Sequence, residues 1–330
     1  MIALMCWQAQ ARVFHVKVGG IGDGASWETA LGDLQRALSL ALPGDEIWVS
    51  SGIYLPTASL DRYASFVIPS GVRLLGGFAG NETAAIQRDF TLNRTVLSGE
   101  IGSPNTDTDN SYTVVVTRLA SPDTHIDGFV ITGGNANNPI REIDPTSCGG
   151  GWFNDASNGQ SSPTISNCAF RLNKAYFGGA IYNNGFQGDC SGTRILACDF
   201  FQNDARVDGG AIYNQGSNGL CNLMIQNCNF EENQAHYGAG ILNRADYGTT
   251  SPFIENCTFT RNGSFVRASG IYNHREQSGI CNPIVKGCRF DDNNYEMVGD
   301  AIGGNSILTS NPEDVKKSKK PIVIRPTTAY

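Results

Sequence analysis

The sequence predicts an all-β protein, a single-stranded right-handed parallel β-helix with an N-terminal capping α-helix. Two motifs that recur in phase support this prediction: Phe-x-x-Asn, and Gly-Gly-Ala-Ile-Tyr-Asn in between. The phenylalanines are 30, 30, 29 and 31 residues apart, at Phe170, Phe200, Phe230, Phe259 and Phe290. At ~3.3 Å per residue, such a unit suits one turn of a coil with three short strands and three corners. No 3.6-residue apolar period appears within a unit, which excludes helical repeats.

Polar and sulfur-containing residues share the phase of the phenylalanines. An asparagine follows each phenylalanine by three residues, at Asn173, Asn203, Asn233, Asn262 and Asn293. Stacked turns would place these amides one above another, where they hydrogen-bond from turn to turn. A cysteine precedes each phenylalanine by two residues, at Cys168, Cys198, Cys228, Cys257 and Cys288. We expect these cysteines to form a buried ladder of reduced thiols, because a free cysteine packs like a small apolar residue. A zinc site is not expected, because cysteines in a straight row cannot surround the metal tetrahedrally.

The first half of the chain is less regular. Residues 26–42 carry a helical apolar stripe that opens at Ser26 and closes before Pro43 and Gly44, and we expect this helix to cap the first turn. Candidate strands follow at 46–49, 66–68, 72–75, 96–98, 113–117 and 126–132, and about nine turns are expected in all.

The chain divides into three regions. Residues 1–11, which end in Ala9-Gln10-Ala11, resemble the remnant of a truncated signal peptide, with an ordinary first strand as the alternative. Residues 12–305 form one β-helix domain, with regular repeats from about 149 to 305. Residues 306–330 form a basic C-terminal tail. Export and the 10 cysteines both predict a secreted protein or one on the outer cell surface.

Charge and hydropathy exclude two classes of partner. The chain carries 24 basic and 31 acidic residues, a net charge of -7, which argues against nucleic-acid binding. No stretch approaches the ~20 apolar residues of a transmembrane helix.

The two motifs resemble those of the polymorphic outer membrane proteins of chlamydiae, which are β-helical surface adhesins. The match is carried by Phe170–Asn173 with Gly178–Ile181, and by Phe200–Asn203 with Gly209–Ile212. The N-terminal part is similar to secreted right-handed β-helix proteins of the pectin-lyase-like superfamily, through stretches such as Gly22–Trp27, Pro43–Trp48, Gly76–Gly80 and Ile126–Asn135. The resemblance implies the fold and an extracytoplasmic location. It does not decide activity, because one superfamily holds lyases, hydrolases and adhesins.

The sequence does not identify catalytic residues. The charged residues that the repeats offer are Asp204, Asp208, His236, Arg244, Asp246, Arg267, His274 and Arg275. They fall in loops or at outward positions, and no two carboxylates recur at a catalytic spacing, so we predict neither a metal nor another cofactor. Calcium binding is expected only if the protein is a lyase, because a lyase of this kind holds calcium in a cluster of carboxylates.

Two features are candidate sites. Cys190 and Cys221 lie one turn apart, and stacked Cα atoms ~4.8 Å apart are within disulfide range. Strand alternation also sends the tyrosine of each Gly-Gly-Ala-Ile-Tyr-Asn motif outward. The resulting column is a candidate ligand-binding surface, at Phe153, Tyr182, Tyr213, Leu242 and Tyr272. In the alternative, the loops 184–193 and 215–222 fold over the column and turn it into a second core.

We therefore expect a structural and adhesive module that binds an extracellular glycan or surface protein through its side face. A polysaccharide lyase or glycoside hydrolase is the alternative, which makes enzymatic activity uncertain and less favoured. A filament subunit, which self-associates through an uncapped C-terminal end, is a third possibility.

Overall fold

The chain winds through about nine turns of a right-handed parallel β-helix. The structure, a computed structural model, describes residues 11–139, 143–294, 298–299 and 307–308. Within these residues the paired strands are parallel, and a strand pairs with its equivalents in the turns before and after. The predicted fold class is therefore confirmed.

Three sheets enclose the interior. The first contains Val13–Val16, Glu46–Ser50, Arg73–Phe78, His125–Asp127, Thr164–Ser166, Arg194–Leu196, Met224–Gln226, Phe253–Glu255, Ile284–Lys286 and Ile307–Leu308. The second contains Gly52–Tyr54, Thr95–Ser98, Phe129–Thr132, Ala169–Arg171, Asp199–Phe201, Asn229–Glu231, Thr258–Thr260 and Arg289–Asp291. The third contains Phe66–Ile68, Val115–Arg118, Trp152–Asp155, Ile181–Asn184, Ile212–Gln215, Ile241–Arg244, Ile271–His274 and Val298–Gly299.

A fourth sheet, which we call the flanking sheet, differs from the expected three strands per turn. Its strands lie between the two sequence motifs, at Asn135–Ala136, Lys174–Phe177, Asp204–Asp208, Gln234–Tyr237 and Gly263–Arg267. Short runs such as Lys174–Phe177 lie between the two motifs and directly before a glycine, and the sequence assigned this stretch to a corner. The flanking sheet becomes important below, because it packs on the outward side of the third sheet.

The interior is a stack of identical rings. Each phenylalanine of the Phe-x-x-Asn motif pairs in register with the next, and all five are at most 2% exposed. The Phe200 and Phe230 ring centroids are 4.7 Å apart, and those of Phe230 and Phe259 are 4.6 Å apart, with 4° between planes. The predicted register is therefore confirmed, since parallel pairing puts equivalent residues at the spacing of neighbouring strands.

Two asparagine ladders run along the helix. In the predicted one, the Asn203 amide donates to Asn233 Oδ1 at 3.0 Å, and Asn233 donates to Asn262 Oδ1 at 2.9 Å. A second ladder, from the other motif, joins Asn183 to Asn214 at 2.9 Å. These amides are buried, and the turn-to-turn bonds supply the partners that burial removes.

The cysteines follow the expected pattern. Cys190 and Cys221 form a disulfide across adjacent turns, with their Cα atoms 4.8 Å apart. The five-residue cysteine ladder is buried and free, and Cys281 is free as well. Burial holds the pKa of the Cys168 thiol well above its ordinary value, so this thiol stays protonated and unreactive.

The N-terminal cap is shorter than predicted. Its helix spans Leu34–Leu40, and Asp33 rather than Ser26 caps it by accepting from the Gln35 N–H at 2.9 Å. The backbone of Leu31 bridges to that of Val16, which keeps residues 26–31 out of the helix. Leu34 and Leu38 are buried in the main core, as the capping role requires. The strand Val13–Val16 precedes the helix, whereas the sequence placed the helix first.

The predicted strand at 66–68 is found unchanged, and the other predicted strand boundaries shift by at most three residues. The run 126–132 is two strands, because Gly128 adopts a left-handed conformation with φ of 81° and turns the chain from the first sheet into the second. Short 3₁₀ helices occur at Ala85–Gln87 and Asp107–Asp109. Ile307 and Leu308 pair with Ile284 and Val285, so strand pairing continues beyond residue 305.

The structure describes little of the two predicted terminal regions. Residues 1–10 of the expected signal-peptide remnant and the basic tail other than residues 307–308 lie outside the described residues. Among the helices of the described part, none has the length and apolarity to cross a membrane.

Candidate functional site

The predicted outward aromatic column is not exposed. Its members stack in register on the outer side of the third sheet, but Phe153, Tyr182 and Tyr213 are at most 2% exposed. Tyr272 is 6% exposed. The expectation of an open row of aromatic rings is therefore wrong, and the column is a second hydrophobic core.

The column is covered by the flanking sheet, not by the loops considered in sequence. Phe177 meets the Tyr213 ring edge-on at 5.8 Å, and Tyr237 lies 5.1 Å from the Tyr272 ring. The loops that follow the third sheet instead continue the wall of the main core, where Cys190 and Cys221 are buried. The second core thus forms as expected under the alternative, but a different segment forms its cover.

One pocket interrupts this cover. It encloses about 230 Å³ between the flanking sheet and the C-terminal half of the column. Its lining residues are Asp208, Tyr213, Tyr237, Leu242, Arg244, Tyr272 and His274. Two of the predicted ligand-binding residues, Tyr213 and Tyr272, line it, whereas Phe153 and Tyr182 are buried elsewhere in the column.

The pocket opens where both layers carry a smaller side chain. Strand register in the flanking sheet aligns Phe177, Asp208 and Tyr237, so a carboxylate stands between two aromatic rings. In the column beneath, Leu242 stands between Tyr213 and Tyr272. The smaller volume of Asp208 and Leu242 leaves the space that a continuous aromatic pair would fill.

Arg244 is held in place at the side of the pocket. Its Nε donates to Asp246 Oδ2 at 2.6 Å, and its guanidinium also interacts with the Tyr213 hydroxyl. Although burial opposes its charge, these acceptors raise the pKa of Arg244 above its ordinary value. Arg244 is therefore a permanent cation and cannot serve as a catalytic base. Burial likewise raises the pKa of Tyr213, so this tyrosine stays neutral.

Asp208 is the chemically unusual group. Its Oδ1 atom is buried and has no hydrogen-bond partner. Burial raises the pKa of the Asp208 carboxyl from 3.8 to about 6, although the charge of Arg244 opposes the shift. Because a buried acceptor without a donor is costly, this oxygen marks a position where a ligand can supply the missing bond.

A group of three possible metal ligands adjoins the pocket. His274 Nε2 is 3.6 Å from Asp246 Oδ1 and 3.4 Å from Glu276 Oε1. The ligand atoms of these three residues lie within 4.8 Å of one another, so they could share one cation. Arg244 already occupies the second oxygen of Asp246, however, and offsets part of the negative charge that would attract a metal. We therefore assign no metal there.

Asp204, His236 and Arg275 are not among the residues that line the pocket. Asp204 stands at the opposite end of the strand Asp204–Asp208, and burial raises its pKa. His236 packs edge-on against Phe265, and Arg275 donates to the Gly279 carbonyl. The side chain of Arg267 lies outside the described residues. The sequence signal for Asp208 was an aspartate where the neighbouring repeats carry Phe177 and Tyr237.

A second depression lies on the outer side of the second sheet. It encloses about 340 Å³ and contains the Phe201 ring, over which the Arg171 guanidinium lies at 5.9 Å. Asp199 and Asn229 are hydrogen-bonded to each other beside it. We consider the pocket between the flanking and third sheets the stronger candidate, because three tyrosine rings line it together with the unpartnered Asp208 oxygen.

Comparison with known proteins adds little beyond the fold. No protein family and no curated protein matches the chain. Among solved structures, the crystal structure of pectate lyase Pel9A is similar, with a TM-score of 0.49 and 11% sequence identity. The similarity covers 94% of this chain and 82% of that one.

Proposed function

We propose that this protein is a secreted or surface-exposed β-helical module that binds a glycan on its side face, through the pocket between the flanking and third sheets. The observation that carries the proposal is the combination of aromatic walls with a few converging polar groups: Tyr213, Tyr237 and Tyr272 beside Asp208, Arg244 and His274. Ligand sites in proteins typically combine a largely apolar lining with a small number of orienting polar groups.

The chemistry of the lining suits a sugar. Aromatic rings contact the C–H faces of a sugar ring, while tyrosine hydroxyls, Arg244 and Asp208 can bond its hydroxyl groups. The volume of about 230 Å³ is small, so the pocket suits one sugar residue or the end of a chain. A pocket embedded in a rigid β-helix also binds without the cost of ordering a loop.

The test is to fill the pocket without disturbing the core. Replacing Asp208→Phe would extend the aromatic alignment of Phe177 and Tyr237 through the gap. We expect this variant to fold and to lose binding to every glycan that the wild type retains on an array, while Asp208→Asn keeps the pocket open. Unchanged glycan binding by Asp208→Phe with wild-type circular dichroism would place the binding site elsewhere, and an array without any bound glycan would refute the proposal.

A glycoside hydrolase or polysaccharide lyase is the second candidate, and one observation favours it. A carboxyl with a pKa of about 6 is poised to act as a general acid near neutral pH. Arg244 cannot act as the base of a lyase reaction at this pocket, because it stays charged and bonded to Asp246. For a lyase that binds calcium, Asp246 and Glu276 are the oxygen donors nearest the pocket.

Activity is tested on a panel of acidic and neutral polysaccharides. Unsaturated products are followed by absorbance and new reducing ends by a colorimetric assay. Turnover that Asp208→Asn abolishes would establish the enzyme and displace the binding module. No turnover from any substrate, together with binding on the array, would leave the binding module.

A further inference from the structure

The pocket has an excess of negative charge next to aromatic faces. Asp208 and Arg244 line it, Arg244 pairs with Asp246, and Asp246 and Glu276 lie at its edge beside the lining residue His274. His274 sits between Asp246 and Glu276, and its ring lies 6.4 Å from that of Tyr272. The site is therefore acidic overall when Asp208 is ionised.

The buried Oδ1 atom of Asp208 lacks a hydrogen-bond donor, and a positively charged donor would bind it more strongly than a neutral one. A neutral hydroxyl would supply a hydrogen bond but would leave the carboxylate charge buried in the pocket. A cationic group would supply compensation for that charge as well, because charge-assisted bonds are about twice as strong as neutral ones. Arg244 does not fill this role, since its Nε donates to Asp246 and Asp208 Oδ1 has no partner.

The walls favour the same kind of group. The faces of aromatic rings attract cations, and several rings around one site form the cage that recognises substituted ammonium groups. Here three tyrosines, Tyr213, Tyr237 and Tyr272, contribute to one small pocket with Asp208.

We propose that the ligand of this pocket is a cationic amino sugar, whose positively charged nitrogen pairs with Asp208 among the three tyrosines. This inference rests on the proposed glycan-binding function and adds the chemical class of the sugar. A uronic acid is the disfavoured ligand, because its carboxylate would meet the charge of Asp208, and the Arg244 guanidinium is already paired with Asp246. A sugar with an acetylated amine lacks the charge that the pocket selects.

The pairing makes binding dependent on pH. The charged and titratable groups that line the pocket with Asp208 are Arg244 and His274 of the third sheet, together with Tyr213, Tyr237 and Tyr272, and Asp246 and Glu276 lie beside His274. Below about pH 6 the Asp208 carboxyl is protonated and cannot pair with a cation. Loss of the Asp208 charge therefore weakens cation binding at low pH.

Titration calorimetry with three oligosaccharides of equal length tests the inference. The probes are glucosamine oligomers, their N-acetylated counterparts, and N-trimethylated oligomers whose charge does not change with pH. At pH 6.8 we expect glucosamine oligomers to bind at least about tenfold more tightly than the acetylated ones. The trimethylated probe should bind roughly tenfold more weakly at pH 5 than at pH 7.5.

Two substitutions of equal charge serve as variant and control. Asp208→Asn should weaken binding of the trimethylated probe about tenfold at pH 7.5 and reduce its pH dependence. Asp123→Asn removes the same charge from an exposed turn and should change neither property.

The outcomes separate this inference from the function on which it rests. Equal binding of acetylated and free-amine oligomers, abolished by Asp208→Phe, would overturn the cationic ligand and keep the glycan site. Equal weakening by Asp208→Asn and Asp123→Asn would show unspecific attraction to an acidic protein and overturn the inference. If the wild type binds no oligosaccharide of any class, both proposals fail.

Discussion

Truncation of Phe230 tests the architecture most directly, because this ring stands at the centre of the phenylalanine stack. Phe230 is fully buried and lies between Phe200 and Phe259, with ring centroids 4.7 and 4.6 Å away. Replacing Phe230→Ala would remove both stacking contacts and leave a cavity. The strands above and below are fixed by their pairing, so the cavity cannot collapse easily.

The expected cost follows from these contacts. Buried phenylalanine-to-alanine changes cost about 3–5 kcal/mol of unfolding free energy, and each aromatic pair contributes roughly 0.5–1.5 kcal/mol of such totals. With one partner on each face, Phe230→Ala should fall within the range of about 3–5 kcal/mol. Because repeat structures are stabilised by contacts between neighbours, the loss should also appear as local opening of the adjacent turns.

The assay is reversible urea unfolding, followed by circular dichroism and by hydrogen exchange. Phe201→Ala is the matched control, since Phe201 is the next residue on the same strand but faces outward and is only half-buried. We expect the control to cost less than about 1 kcal/mol. A cost below about 1 kcal/mol for Phe230→Ala, or a cost no larger than that of Phe201→Ala, would refute the register of the phenylalanine stack.

Three further predictions concern the polar ladder, the disulfide and the pocket. Asn233→Ala should cost about 1–3 kcal/mol, measured against exposed Asn229→Ala, because it leaves buried partners unsatisfied; equal losses would contradict this. Under oxidising conditions, peptide mass spectrometry should find Cys190 joined to Cys221, and replacing both by serine should cost about 3–4 kcal/mol; alkylation of both cysteines as free thiols would refute the pairing. The pKa of Asp208 is raised to about 6, so folding gains protons between about pH 4 and 6, and stability is lost as pH rises through 6. Asp208→Asn should therefore stabilise the protein at pH 7.5 and lose this advantage at pH 4 in urea titrations, and an equal effect at both values would contradict the shift.

The repeat could be recognised in the sequence because equivalent positions of successive turns pack against one another and carry the same residue types. Phe170 and Phe200 occupy equivalent positions, so their spacing reveals the length of a turn, and Asn173 and Asn203 reveal the buried corner that follows. The Cys190–Cys221 disulfide follows from the length of one turn, since equivalent residues of adjacent turns are neighbours in space.

Only part of the candidate site could be predicted from the sequence. Tyr213 and Tyr272 were identified as one column, and strand alternation correctly sent them away from the main core. Alternation describes a single sheet, however, and cannot show whether another layer covers the outer side. Phe177 and Tyr237 supply that layer from a segment that looked like a corner in sequence.

The sequence by itself determined the period, the direction of strand pairing, the residues of both asparagine motifs and the stacked phenylalanines. These depend on contacts between equivalent positions, which a repeat displays directly. Only the tertiary structure decided that the aromatic column is buried and that Asp208, Arg244, Asp246 and His274 meet at one pocket. These residues come from three successive turns, and their meeting depends on how the flanking sheet lies against the third. The packing of one layer on another, rather than the repeat, makes the pocket.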